Sequence, residues 1–308
     1  MALHTVDEEF DLRLLAGASC AFGVFDGLHV GHQYLIGCAR DAAEALGARS
    51  MVLTFDIDPD EVFHADRLKK LMRNADRIQA LERTGVDDVV VLPFTTEFCA
   101  QEPEQFLASM FAEGAPAQLH VGEDFRFGAR ASGTVETLEH WGSVVGCAIR
   151  AHHLVSADGK PITATRIRLL LEAGDVEGAA ALLGRPYTLR ETVQRGRGQG
   201  ADFGFATANL QVKPHDRVLG EGVYAAYALV DGARYKAAVS VGVSPTFEAQ
   251  STANVEVHVL DFKGDLVGSS IGVEFMRYLR PMMKFDTTEE LISTVTADID
   301  RVRNGLEL

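Results

Sequence analysis

Ten residues near the amino end, Gly23-Val-Phe-Asp-Gly-Leu-His-Val-Gly-His32, bring three glycines, a carboxylate and two imidazoles together where an apolar run gives way to a helical pattern. Gly23, Gly27 and Gly31 let the backbone approach a ligand closely, and the start of a helix offers free N–H groups to a phosphate. His29 and His32 are three residues apart, so on a helix they share a face and can address one phosphate. Imidazole N–H groups so placed donate to oxygens that gain charge during phosphoryl transfer. Phe25 and Asp26 lie in the same turn and are counted with the site. Taken alone, the two histidines also suit a metal pair or a solvated helix face; the combined pattern favours phosphate.

Two later stretches carry related chemistry. Thr163-Ala-Thr-Arg-Ile-Arg168 follows Pro161 and opens a helix, so Thr163 and Thr165 can cap N–H groups while Arg168 holds a polyphosphate. An ordinary helix cap with a surface arginine is the plainer reading of that segment in isolation. Gly196-Arg-Gly-Gln-Gly-Ala-Asp-Phe-Gly-Phe-Ala-Thr-Ala-Asn209 offers Gly196, Gly198 and Gly200 for phosphate approach. Thr207 and Asn209 alternate along a strand, which puts two oxygen ligands suited to Mg²⁺ on one face. Without a partner site, this stretch reads equally well as a mobile hairpin with a polar end.

Positioning these groups requires two kinds of scaffold. Residues 18–25, 50–55, 89–92, 118–121 and 144–149 are apolar runs that read as strands, with helical patterns over 31–46 and 66–83. Continuous rather than alternating apolar strands imply burial on both faces, hence a parallel sheet covered by helices, with ligands at the strands' carboxyl ends. Beyond Gly184-Arg185-Pro186 the pattern changes to short strands at 222–229, 235–243, 255–261 and 271–275, with turns at Asp231-Gly232 and Lys263-Gly264. That spacing predicts a small antiparallel barrel, closed by a helix capped at Thr287. The expected division is 1–185 and 186–308.

Composition narrows the classes. The 308 residues include 29 Lys+Arg and 44 Asp+Glu, a net charge of −15, which disfavours adhesion to nucleic acid or anionic membrane. Cys20, Cys38, Cys99 and Cys147 are widely spaced and read as reduced, buried thiols of a cytoplasmic protein. No stretch resembles a secretory leader or a spanning helix. His152-His153 reads as a loop or strand end rather than a metal site, Trp141 as helix packing, and Asp87-Asp88 and Asp58, Asp60 and Glu61 as solvated acidic surface.

Taken together, these motifs resemble the bifunctional bacterial riboflavin kinase/FAD synthetases along nearly the whole chain. The resemblance implies a Rossmann-like nucleotidyltransferase domain followed by a riboflavin-kinase barrel. It implies that ATP phosphates meet His29 and His32 together with Thr165 and Arg168. Val121-Gly-Glu-Asp-Phe-Arg-Phe-Gly128 resembles a family segment near the flavin, in which Asp124 is the matching polar residue. Glu256 matches the position used as general base toward the riboflavin 5′-hydroxyl. Implied substrates are riboflavin, FMN and ATP, with Mg²⁺ as cofactor and FAD as product. Ala164, Asp58, Ala201, Phe203 and Ala206 depart from the family strings. An alternative reading keeps adenylyl transfer alone and leaves the barrel as a flavin-binding or interaction module.

Overall fold

In a computed structural model, the chain is described at residues 2–6, 10–64, 69–195, 205, 207–212, 218–242 and 254–307. It divides into two compact units, Met1–Leu68 with Met72–Ala164, and Lys69–Leu71 with Thr165–Leu308.

The first unit is built on a parallel sheet of β1 (Ala2–Thr5), β2 (Ser19–Phe22), β3 (Ser50–Phe55), β4 (Asp88–Leu92), β5 (Gln118–Gly122) and β6 (Ala148–His152). The strands run in the order β1-β4-β3-β2-β5-β6, so the winding reverses between β2 and β5. The accompanying helices are α1 (Val30–Leu46), α2 (Pro59–His64), α3 (Asn74–Glu82), α4 (Thr96–Cys99), α5 (Pro103–Met110) and α6 (Val135–Val145). Strand periodicity explains the unbroken apolar runs. Cys20, Phe22, Met51, Leu53, Val90 and Leu92 enter one core. Their neighbours Ala21, Val52, Val89 and Val91 enter the other, against Leu35, Ile36 and Ala39 of α1. Both faces of the central strands β2, β3 and β4 are dry, while the edge strands β1 and β6 are partly exposed.

Three expectations for this unit need correction. Among the described residues, the helix expected over 66–83 is found at Asn74–Glu82, and the Met72 N–H before it donates to the Asp26 carboxylate (3.2 Å). Val144 and Val145 end α6 rather than opening a strand; Gly146 at φ +81° caps the helix, and β6 starts at Ala148. Of the pair read as acidic surface, Asp87 is exposed but Asp88 is not. Asp88 is wholly buried and accepts from His4 Nε2 at 3.0 Å and from Arg49. The Asp87 carboxylate accepts from the Ser50 N–H (2.9 Å) and hydroxyl (2.8 Å). The pair therefore joins β1 and β3 to β4.

A short hairpin of β7 (Ser156–Ala157) and β8 (Lys160–Pro161) precedes α7 (Ala164–Glu172) and α8 (Val176–Leu183). The second unit then closes an antiparallel barrel from β9 (Tyr187–Gln194), β10 (Ala208–Gln211), β11 (Gly222–Val230), β12 (Ala233–Gly242), β13 (Asn254–Val259) and β14 (Ser270–Arg280). Asp231 and Gly232, at φ +48° and +80°, make the tight turn between β11 and β12. Lys263-Gly264 makes no such turn; it lies within the longer connection from Leu260 to Ser269. The last helix, α9 (Thr288–Gly305), is capped by the Thr287 side chain and lays Ile299 and Val302 on Ala225 and Ala238 of the barrel.

Candidate active site

The reversal between β2 and β5 is where an open α/β sheet collects ligands. The loop leaving β2 carries the glycine and histidine motif, and the turn leaving β5 carries Asp124, which is exposed. After Gly23 donates its N–H to the Leu53 carbonyl (3.1 Å), the backbone becomes left-handed at Phe25 (φ +61°), Gly27 (φ +73°) and Leu28 (φ +40°). A non-glycine residue in that region costs about 1–2 kcal/mol. Phe25 offsets this by burying its ring, which meets the His32 ring edge-on at 5.3 Å. Its side chain supports the imidazole from inside the unit and presents no surface to a ligand. Gly23 serves the same packing, since a Cβ there would lie 3.2 Å from the Phe25 ring.

His29 does not lie on the helix. It is the N-cap of α1, with extended backbone (φ −71°, ψ 172°), and its Nδ1 accepts the His32 N–H at 3.3 Å. The rings still meet, stacked with centroids 3.5 Å apart and planes at 19°. Gly31 makes room for this stack. A Cβ there would approach His29 Cε1 and Nδ1 to 3.2 Å, and would lie 3.8 Å from the Ile162 carbonyl. A side chain at this position would press on the His29 ring.

Burial first, and the neighbouring His29 second, push the His32 pKa well below the usual imidazole value. His32 is therefore neutral near pH 7, while a bound phosphate would raise its pKa again. Its Nδ1 is buried without a hydrogen-bond partner. Such an unsatisfied atom costs about 1–3 kcal/mol and is the kind of group a ligand can satisfy. Asp26 is buried, and its carboxylate takes the Met72 N–H.

Ile162 is buried in the same unit, so the chain enters the Thr163 region beside Gly31. Thr163 stands immediately before α7 in the first unit, whereas Thr165 and Arg168 belong to the second. Thr165 is exposed, and the Arg168 Nε donates to the Lys69 carbonyl at 2.6 Å. Asp58, expected on the surface, is buried; its N–H donates to Glu61 Oε1 at 2.9 Å, which also accepts from Asn74. Sequence reasoning passed over Arg77. The available signal was a guanidinium on the apolar stripe of α3, four residues before the buried Leu81.

In the barrel, β10 pairs Asn209 opposite Glu256, and β12 pairs Ser240 opposite the same glutamate. Val255, Val257, Val239, Val241 and Leu210 are fully buried, so alternation puts Asn209, Glu256 and Ser240 in one row on the other face. Thr207 precedes β10, and its carbonyl accepts from the Asn209 side chain at 3.4 Å. Ser240 carried no signal in the sequence beyond its register with Glu256. Gly196, Gly198 and Gly200 lie outside the described residues, as do Ala201, Phe203, Ala206 and residues 243–247.

Comparison with known proteins matches the FAD synthetase family over residues 13–166 and the riboflavin kinase family over 183–306. The chain is 33% identical to the bifunctional riboflavin kinase/FMN adenylyltransferase of Pseudomonas fluorescens, covering 93% of this chain and 92% of that one. The chain belongs to this bifunctional family. The Bacillus subtilis riboflavin kinase/FMN adenylyltransferase is also 33% identical, over 96% of this chain and 93% of its own. A crystal structure from Streptococcus pneumoniae, described as a macrolide-efflux protein, shares the fold with a TM-score of 0.84 and 28% identity, covering 98% of this chain and 99% of that one. Among the described residues, no helix of this family member is long and apolar enough to cross a membrane.

Proposed function

We propose that this chain makes FAD in two steps, phosphorylating riboflavin with ATP and then adenylylating the resulting FMN with a second ATP. The observation that carries the reading is that both halves match, in order, along nearly the full length of bifunctional relatives. The functional division is drawn at 1–185 and 186–308, which assigns α7 and α8 to the adenylylating half.

In that half, a phosphate oxygen of FMN attacks the α-phosphorus of ATP. One P–O bond forms, the bond to the β-phosphate oxygen breaks, and pyrophosphate departs. The protein aligns the groups and offsets developing charge. Neutral His32 and the capping His29 donate to phosphate oxygens near Thr163, and Asp124 is assigned to the flavin end; Thr165 and Arg168 are assigned to the remaining phosphate charge on sequence grounds. The glycine-lined turn of Gly23, Gly27 and Gly31 with Asp26 sets the approach.

In the barrel, Glu256 takes the proton of the riboflavin 5′-hydroxyl as that oxygen attacks the γ-phosphorus, and ADP leaves. The row of carboxylate, carboxamide and nearby hydroxyl oxygens is a hard donor set that suits Mg²⁺, with Thr207 and Asn209 as its ligands. When bound, the ion supplies charge neutralisation to the phosphates. Gly196, Gly198 and Gly200 are assigned to phosphate contact on sequence grounds. Four free cysteines among the described residues support a reducing, cytoplasmic setting.

A chromatographic time course from riboflavin with excess MgATP tests both steps. FMN should rise first and FAD follow. FMN without FAD removes the adenylyl assignment, and conversion of added FMN without use of riboflavin leaves the barrel as a binding module.

A further inference from the structure

Arg77 is 1% exposed, although arginine keeps its charge at any working pH. Its Nη1 donates to the Val24 carbonyl and to Thr54 Oγ1, both at 2.7 Å. Its Nη2 donates to the Phe55 carbonyl at 2.7 Å and to that of Asp56 at 3.4 Å. The Thr54 hydroxyl in turn donates to the same Val24 carbonyl at 3.3 Å.

These bonds lie where the sheet ends. The β2–β3 pairing closes with the Gly23 N–H on the Leu53 carbonyl, after which the two chains separate. Arg77 spans that gap, binding the last carbonyl before the left-handed turn on one side and the end of β3 on the other. Burial lowers its pKa, while the carboxylates of Asp58, Asp26, Glu61 and Asp56 oppose that effect. A fixed, planar donor is thereby held beneath a loop whose backbone sits in a conformation that most residues avoid.

We propose that Arg77 is a positioning residue for adenylyl transfer, clamping Val24 so that the Phe25–Leu28 turn delivers His29 and His32 stacked at the head of α1. The guanidinium acts through the backbone and not on the substrate. This inference rests on the adenylyl-transfer reading given above.

The chain itself carries the control, because the barrel's kinase reaction reports on the same preparation. Arg77→Lys keeps the charge but cannot bridge both chains with a planar fork. Its kcat for FAD formation from FMN should fall about tenfold or more, with KM for ATP and FMN within about threefold, because misplacement of catalytic groups is read mainly in turnover. FMN formation from riboflavin should stay within about twofold of wild type. Thr54→Val, which removes one acceptor of nearly constant shape, should lose about threefold in the same kcat. FAD formation by Arg77→Lys at the wild-type rate overturns the proposal, as does a kcat loss matched by an equal loss of FMN formation. If Arg77→Lys fails to fold, Thr54→Val decides: a selective loss of kcat supports the clamp and an unchanged kcat overturns it. A wild-type chain that makes FMN but no FAD would instead remove the underlying function.

Discussion

His120 and His152 share a hydrogen bond between neighbouring strands, Nδ1 of the first to Nε2 of the second at 2.9 Å, with ring planes 16° apart. Burial, then His152 and Arg150, push the His120 pKa down to about 4. His152 is lowered as well, by burial and by Arg150. Between pH 4 and the ordinary imidazole value of 6.5, the unfolded chain therefore binds more protons than the folded one. Stability is complete above that window and is lost as pH falls through it, by at most about 3 kcal/mol from His120. Hydrogen exchange of the β5 amides, corrected for intrinsic rates, should show this loss on going from about pH 7 to about pH 5. His120→Asn should flatten the dependence; an unchanged slope would show that other groups carry it.

Replacing both site imidazoles should separate the two reactions. His29→Ala with His32→Ala should lower FAD formation by roughly 10²–10³-fold or more, the usual worth of preorganised donors to developing charge. FMN formation by the barrel should persist, because none of its residues is touched. Product chromatography on one preparation reads both outcomes, and FAD synthesis near the wild-type rate would refute the role.

Gly31→Ala offers a gentler probe of the same stack. The added methyl would press on the His29 ring at 3.2 Å, so the imidazole must shift by a few tenths of an ångström. FAD formation should fall about tenfold. Alanine is the better helix former, by about 1 kcal/mol, so thermal stability should hold or rise. A fall in both activity and melting temperature would point to general damage instead.

Glu256→Gln tests the barrel. The amide keeps the shape of the carboxylate and one acceptor oxygen but cannot take a proton, so kcat for FMN formation should drop by about 10²–10⁴-fold. Adenylylation of supplied FMN should continue unchanged. An unaltered kinase rate, or one restored simply by more Mg²⁺, would assign Glu256 to metal affinity or to structure.

Asp88→Asn should be the most costly substitution for folding of the first unit. The carboxylate is wholly buried while Arg49 reaches solvent, so the loss is that of its charge-assisted hydrogen bonds, about 1.5–3 kcal/mol. Chemical denaturation should show the loss, while the specific activity of whatever folds should remain near that of the wild type.

Much of this protein was legible before any coordinates. The runs around Cys20, Val52 and Val90 have no polar alternation, so their burial on both faces, and with it a parallel sheet, follows from the local sequence pattern. The tight Asp231-Gly232 turn and the valine alternation of β12 and β13 likewise specify antiparallel pairing locally. Within the motif, the order of glycines and histidines shows a turn running into a helix start, because a helix start is a local property. The Thr163–Arg168 segment shows its helix start but not what it faces.

Tertiary structure decided what depends on partners distant along the chain. His29 became an N-cap because the left-handed turn before it sets the helix start at Val30. Arg77, Asp58 and Asp88 look like surface charges in sequence, since charged side chains usually remain in water. Arg77 and Asp88 are buried here because distant carbonyls or counter-charges replace that water, and Asp58 is buried within reach of the Arg77 charge. Local pattern records which residues avoid solvent. Whether a polar residue can afford to leave solvent depends on the three-dimensional arrangement of its hydrogen-bond partners, and only the folded chain supplies that.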